Sequence, residues 1–265
     1  MGEEFIMILL SYVIIILIAT ISGAIAGLGG GVIIKPLFDM IAFHDASTIG
    51  FYSSVAVFTM CIVSIYKQVK NGFKFDIRTV LSISIGSMVG GLLGELIFNS
   101  ITKSLDNSFV KVIQAGILAI TLIVILLYTL NREKIKGYKI NNVLIIFGAG
   151  MFLGLISIFL GIGGGPLNVA LLMLLFSYPM KEASIYSIAT IFFSQISKLG
   201  SILFSGQIVN YDLSFIPFIA VTAIIGGFIG TSINQKLEDE KIQKFYIFLI
   251  GLLLLISGYN VISNI

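Results

Sequence analysis

Apolar runs broken by short polar clusters divide the chain into segments near residues 5–43, 46–66, 79–98, 111–130, 143–178, 183–204, 213–232 and 245–263. Six of them have the length of a single bilayer crossing, which takes roughly 20 apolar residues. The segments at 5–43 and 143–178 are too long for one crossing, and glycines interrupt each: Gly27, Gly29, Gly30 and Gly31 in the first, Gly161, Gly163, Gly164 and Gly165 in the second. Glycine tolerates the backbone of a sharp reversal, so each long segment is predicted to be a pair of shorter helices joined at the break.

The two breaks lie 134 residues apart, and other matches follow in the same order. Ala46-Ser47 answers Ala183-Ser184, Gly72 answers Gly206, Phe75-Asp76 answers Tyr211-Asp212, and the Gly90, Gly91, Gly94 row answers Gly226, Gly227, Gly230. The offsets stay between 134 and 137, the signature of a tandem duplication. The expected domains are a first repeat over 1–135 and a second over 136–265, together one membrane unit.

Lysine and arginine set the orientation. With eight plain crossings, the basic loop residues divide eight against six between the two sides. If each glycine-broken segment instead enters and returns to its own side, Lys181, Lys236, Lys241 and Lys244 change sides and the division becomes twelve against two. The positive-inside rule selects the second arrangement. Each repeat then has odd parity and the halves are inverted. The expected fold is an all-α integral membrane protein of two inverted repeats, each a glycine-broken helical hairpin followed by three transmembrane helices. It places the loops at 67–78, 131–142 and 233–244 in the cytoplasm and both termini outside a cell membrane.

Composition agrees with a bilayer. Of 265 residues, 57% are hydrophobic and 11% charged, and mean hydropathy is +1.08, whereas soluble domains carry about 25% charged residues. That excludes a nucleic-acid binder and a disordered chain, and leaves no sizeable extramembrane domain. One cysteine, Cys61, and one histidine, His44, make neither a disulfide framework nor a His/Cys metal cage. No cofactor and no metal are expected. The start is acidic and its apolar run exceeds a signal-peptide core, so that segment is expected to stay in the mature protein.

Inverted repeats with broken helices suit a transporter, where half-helix ends meet near mid-membrane. Backbone N–H groups freed at such ends attract anions. Gly29, Gly30, Gly31 and Gly163, Gly164, Gly165 are therefore candidate anion cradles, with Pro166 suited to the first turn after the second break. The alternative is that these glycines serve only packing and kinking. Neither run continues as a nucleotide-binding motif.

A duplicated apolar half that opens with Gly-x-Gly-Gly-Gly, continues into an Ala-Ser/Thr-rich helix and then a Gly-x-x-x-Asp turn resembles the sulfite exporter TauE/SafE family of membrane transporters. The resemblance covers nearly all of the chain. It implies movement of small sulfur-containing or organic anions such as sulfite, thiosulfate or sulfonates, and does not choose among them. The proline falls differently in the two halves, at Lys35-Pro36 and at Pro166-Leu167-Asn168.

The span at 183–204 is the most polar. Ser187, Thr190, Ser194, Ser197, Lys198, Ser201 and Ser205 recur at three- and four-residue steps, one stripe on a helix, and Gln195 flanks it. A lysine inside a span usually faces a cavity or a partner, which makes Lys198 the first candidate to hold the anion; snorkelling, or pairing with Glu95, is the alternative. The first half keeps Ser53 opposite Thr190 but sets Cys61 opposite Lys198. Asn168 offers amide donors. Lys35 and Asp39, four residues apart, read as an intrahelical bridge in preference to a substrate contact. Glu95, a carboxylate in an apolar span, is a candidate proton carrier for coupling. His44-Asp45 reads as a polar turn, and Tyr66, Tyr128, Tyr138, Tyr211, Tyr246 and Tyr259 as an interfacial belt.

The reading is a secondary transporter of a small anion. Its partners are that substrate and the lipid bilayer, with no nucleic acid, and a homodimer is compatible with it. A passive anion channel is the first alternative. An intramembrane enzyme is disfavoured by the lack of a nucleophile–base pair.

Overall fold

The computed structural model of the chain describes residues 2–41, 43–104, 107–135, 137–160 and 164–263. Among the described residues there are ten α-helices and no strand: α1 (Gly2–Ala26), α2 (Gly31–Ile41), α3 (Ala46–Lys70), α4 (Ile77–Ser104), α5 (Asn107–Leu130), α6 (Val143–Leu160), α7 (Gly165–Phe176), α8 (Met180–Phe204), α9 (Ile216–Lys236) and α10 (Asp239–Ser263). Among them seven are long and apolar enough to cross a membrane, and α6 and α7 supply shorter apolar stretches.

Both long segments break where the glycines stand. The first pair is lopsided: α1 has 25 residues and α2 has 11, about 38 Å against about 16 Å of helix. No glycine or proline interrupts residues 5–22, so nothing stops α1 before the break. α10 begins at Asp239, six residues ahead of the predicted 245, and the expected loop at 233–244 shrinks to the turn between Lys236 and Asp239. Hydropathy missed that first turn because it is charged. Asp239 and Glu240 favour a helix N-terminus, and Glu240 bridges Lys244 at 2.7 Å one turn on.

Close backbone contact holds the helices together. Along the α4–α6 seam, Gly86, Gly90 and Gly94 lie directly on the backbone of Phe147, Met151 and Leu155, while Gly150 and Gly154 lie on Ile83 and Ser87. Gly226 and Gly230 of α9 meet α1 near Thr20 and Ile21 in the same way. These rows are the packing devices their spacing predicts. Equivalent helices repeat the pattern: α4 packs on α6 and α9 on α1, α3 on α9 and α8 on α4, α2 on α3 and α7 on α8, and α5 against α10. Phe58 stacks on Phe192 while Gly50 meets Lys198 farther along, so α3 and α8 run antiparallel. Ile6, Leu10, Ile14 and Ile18 form an exposed apolar stripe on α1, the face for lipid.

Candidate functional site

The first break is a compact reversal. The Leu28 N–H donates to the Gly23 carbonyl at 3.0 Å, and those of Ile33 and Ile34 donate to the Gly30 carbonyl at 2.9 Å. Gly27, Gly29 and Gly30 adopt φ of +77°, +76° and +76°, a region that side chains other than glycine rarely enter. Their surroundings are close as well. Gly27 rests on the Ser184 backbone, and the Ile191 and Val57 side chains cover Gly29. The Ser187 hydroxyl donates to the Gly27 carbonyl at 2.6 Å. Gly31 opens α2 and is buried.

At the second break, residues 161–163, and with them the predicted cradle residue Gly163, lie outside the described residues. Gly164 caps α7 at φ 67°, and Gly165 and Pro166 form its first turn. Gly165 lies directly on the Leu28 carbonyl, so the two breaks touch. Ser157 and Asn168, each 2% exposed, flank Gly164. Their side-chain oxygens have no partner among the described residues; the Asn168 amide nitrogen is the donor an anion would use. Tyr246, expected in the interfacial belt, is instead fully buried and donates to the Pro166 carbonyl at 2.7 Å. A buried hydroxyl needs a partner, and the α7 backbone supplies it.

Most hydroxyls of the α8 stripe are already committed as donors. Thr190 donates to the Tyr186 carbonyl at 3.0 Å, and Ser194 to the carbonyls of Ile191 (2.9 Å) and Thr190 (3.2 Å). Such back-bonding leaves oxygen lone pairs facing outward, which an anion does not favour. Gln195 differs: it is 3% exposed and its Oε1 has no hydrogen-bond partner among the described residues. Ser53 is buried on α3.

Charged side chains inside the spans are held by hydrogen bonds. The half-buried Lys198 donates through Nζ to the Gly50 carbonyl at 3.1 Å. One turn on, Ser201 donates to Glu95 Oε1 at 3.1 Å. Lys35 on α2 donates to Gln114 Oε1 at 3.2 Å, reaching out of its own helix to α5. Gln114 in turn donates through Nε2 to the Phe159 carbonyl at 2.6 Å, in the last turn of α6 before the second break. Thus Lys35 of α2 and Gln114 of α5 meet the end of α6 just before the second break, while Lys198 and Glu95 are held between α8 and its neighbours α3 and α4. Sequence reasoning set Lys35 aside and overlooked Gln114; an amide in the otherwise apolar 111–130 run was the available signal.

A cavity of about 590 Å³ opens at the other end, lined by Gln68, Asn71, Phe73, Lys181, Glu182 and Gln235 among others. Below it Gln68 donates to Asn234 at 3.0 Å, and Asn234 donates to the Ile25 carbonyl (2.7 Å) and Ser184 (3.2 Å). Ser184 adjoins Gly27, so buried amides link this cavity to the first break. At the opposite end of α3, Tyr12 and His44 Nδ1 share a hydrogen bond of 2.6 Å within a cluster of Phe38, Tyr52 and Phe215. His44 is therefore more than a turn residue, and Asp45 beside it caps α3 by accepting from the Thr48 N–H at 3.1 Å.

Seven crossing-length helices and two touching glycine breaks define a multi-pass α-helical membrane protein. The profile of the sulfite exporter TauE/SafE family matches residues 12–259, and the chain belongs to that family. Among curated relatives, the probable membrane transporter protein YunE of Bacillus subtilis is 28% identical, covering 94% of this chain and 99% of its own length. The probable membrane transporter protein MJ0441 of Methanocaldococcus jannaschii is 27% identical over 94% and 95%. No solved structure matches the chain.

Proposed function

We propose that the protein is a secondary transporter for a small sulfur-containing or organic anion of the sulfite, thiosulfate or sulfonate type. It works by alternating access, moving one inverted half against the other. The observation that carries this reading is that each half places a lysine inside the spans, Lys35 reaching Gln114 ahead of the second break and Lys198 reaching the Gly50 carbonyl of the other half. Positive charge inside a low-dielectric span attracts a negative partner, and a bound anion is one. Gln114 and Gln195, with the helix end at Gly164, Gly165 and Pro166 and the amide of Asn168, add donors around that position. Gly29, Gly30 and Gly31 serve as the hinge of the opposite half. The cavity beside Gln68 and Lys181 is the cytoplasmic vestibule, and the Tyr12–His44 cluster closes the outer side. The family membership and the names of both relatives support transport; the antiparallel α3 and α8 support inversion of the repeats 1–135 and 136–265.

Uptake by reconstituted vesicles tests this, with sulfite, thiosulfate, sulfoacetate and taurine compared against a carboxylate. Saturable flux or exchange of at least one sulfur anion is expected, reduced at least tenfold by Lys198→Ala and far less by Cys61→Ala at matched incorporation. Flux that rises linearly without saturation would instead indicate a passive channel. Chemical turnover of a candidate substrate without vesicles would indicate an enzyme.

A further inference from the structure

α3 and α9 pack side by side and end together. Thr231 donates to Ser64 at 2.8 Å, and one turn on Gln68 donates to Asn234 at 3.0 Å. On α9, Ile224, Phe228, Ser232 and Lys236 recur every four residues and share one face. Its apolar part is exposed at Ile224 and Phe228, as is Tyr66 on α3. A lysine that only snorkels extends along its own helix towards water. Lys67 instead crosses to α9: its Nζ lies 3.5 Å from the centre of the Phe228 ring and donates to the Phe228 carbonyl at 3.1 Å and to the Ser232 hydroxyl. Lys236 stands one turn beyond Ser232, and Lys70 one turn beyond Lys67, its Nζ 5.9 Å from the centre of the Tyr66 ring. Among the described residues no carboxylate bridges any of these three lysines. The acids of the neighbouring turn, Glu238, Asp239 and Glu240, are engaged by Lys241, Arg132 and Lys244.

We propose that this groove between α3 and α9 is a binding site for an anionic phospholipid, its phosphate held by Lys67, Lys70 and Lys236 and an acyl chain lying along Tyr66, Phe228 and Ile224. Two features meet here, and one ligand matches both. Basic side chains at the membrane surface attract anionic headgroups, and the exposed apolar face that leads up to them is a surface for hydrocarbon. A free phosphate matches only the lysines. A zwitterionic lipid matches the apolar face but brings its own positive charge to the lysines. Lys67, anchored on Phe228 and Ser232, fixes where the headgroup sits, so the site is a defined position on the lipid-facing surface rather than a general basic belt. It does not depend on what solute the protein carries.

Native mass spectrometry of the purified full-length protein, titrated with phosphatidylglycerol or with phosphatidylcholine of the same acyl chains, tests this. The wild-type protein is expected to bind one phosphatidylglycerol at least tenfold more tightly than phosphatidylcholine. Lys236→Gln, which alters no anchored contact, should lower that preference about fivefold, one lysine's share, and the Lys67→Gln/Lys236→Gln double variant should abolish it. Lys241→Gln/Lys244→Gln, which removes the same charge from α10, should leave it in place. A wild-type protein that binds both lipids alike overturns the proposal, whether or not the double variant folds. An equal loss in the α10 pair overturns it as well, because the preference would then follow total charge. Displacement of the bound lipid by millimolar inorganic phosphate would assign the lysines to a free anion and overturn the choice of a lipid.

Discussion

Tyr52 donates its hydroxyl hydrogen to the backbone carbonyl of Asp212 at 2.8 Å, joining the first half of the chain to the second. Its counterpart, Tyr186, accepts from the backbone N–H of Asp76 at 2.7 Å, joining second to first. Each tyrosine stands six residues after the start of its helix, α3 or α8, and each meets the aspartate, Asp212 or Asp76, of the turn that follows the equivalent helix of the other half. Removing either hydroxyl should cost about 1 kcal/mol, typical of one intramolecular hydrogen bond. Tyr52→Phe and Tyr186→Phe should therefore each lower the thermal midpoint in detergent slightly. The double variant should approach the sum, since distant sites add; unshifted midpoints in all three would show that these bonds do not hold the halves together.

Glycines two residues apart on α6 should respond in opposite ways. A β carbon on Gly150 would run into the carbonyl of Ile83, whereas one on Gly148 meets nothing within 4 Å. Gly150→Ala must push α4 and α6 apart, at a cost of about 1–3 kcal/mol. Gly148→Ala should be neutral or stabilising by up to about 1 kcal/mol, because alanine is the better helix former. Size-exclusion profiles and thermal midpoints of the two variants decide it, and equal behaviour would contradict the packed seam.

The Tyr12–His44 pair should make stability depend on pH. Burial lowers the His44 pKa from its usual 6.5, outweighing the opposing pull of Asp45 and Asp212. Ser214 holds Asp212 below the ordinary carboxylate range by hydrogen bonds from its backbone and side chain, so that negative charge persists in mild acid. The aromatic neighbours Tyr12, Tyr52 and Phe215 add no charge near neutrality. With the folded pKa depressed, the folded state favours neutral imidazole. Its contribution is complete above about pH 6.5 and is lost as pH falls through the lower folded value. The thermal midpoint of the wild-type protein should fall across that window, and that of His44→Gln should fall less; parallel curves would rule His44 out as the cause.

Topology can be read by labelling single cysteines. Cys61 is fully buried, so Cys61→Ala is a quiet background. On it, cysteines replacing Gly2 and Asn210 should react with an impermeant reagent in intact cells, and one replacing Lys70 only after permeabilisation. Labelling of position 2 only after permeabilisation would reverse the assigned orientation.

Much of this architecture was legible before any coordinates, because bilayer physics leaves few choices. Apolar length marked the spans, and the two glycine runs marked the breaks at Ala26 and Leu160. Small-residue spacing likewise marked the α4–α6 seam. The site was less legible, since periodicity reports which side chains share a helix face and says nothing of what faces them. The Ser/Thr stripe on α8 looked like a polar track, yet Thr190 and Ser194 donate to carbonyls of their own helix. Spacing set Lys35 beside Asp39 and was silent about Gln114, 79 positions away, to which Lys35 donates. Asn234 and Gln68, which join near the first break, sit at the ends of α9 and α3, where polar residues pass for interfacial ones.

The most direct measurement is a double-mutant cycle on anion binding, read by calorimetry on the purified protein and the Lys35→Gln, Lys198→Gln and doubly substituted forms. One anion held by both lysines predicts that each single change weakens binding at least tenfold. The double change should weaken it by less than the product of the two, because the anion is already lost to the site. Affinity unchanged by either substitution, or losses that multiply independently, would contradict a single anion shared between the two halves.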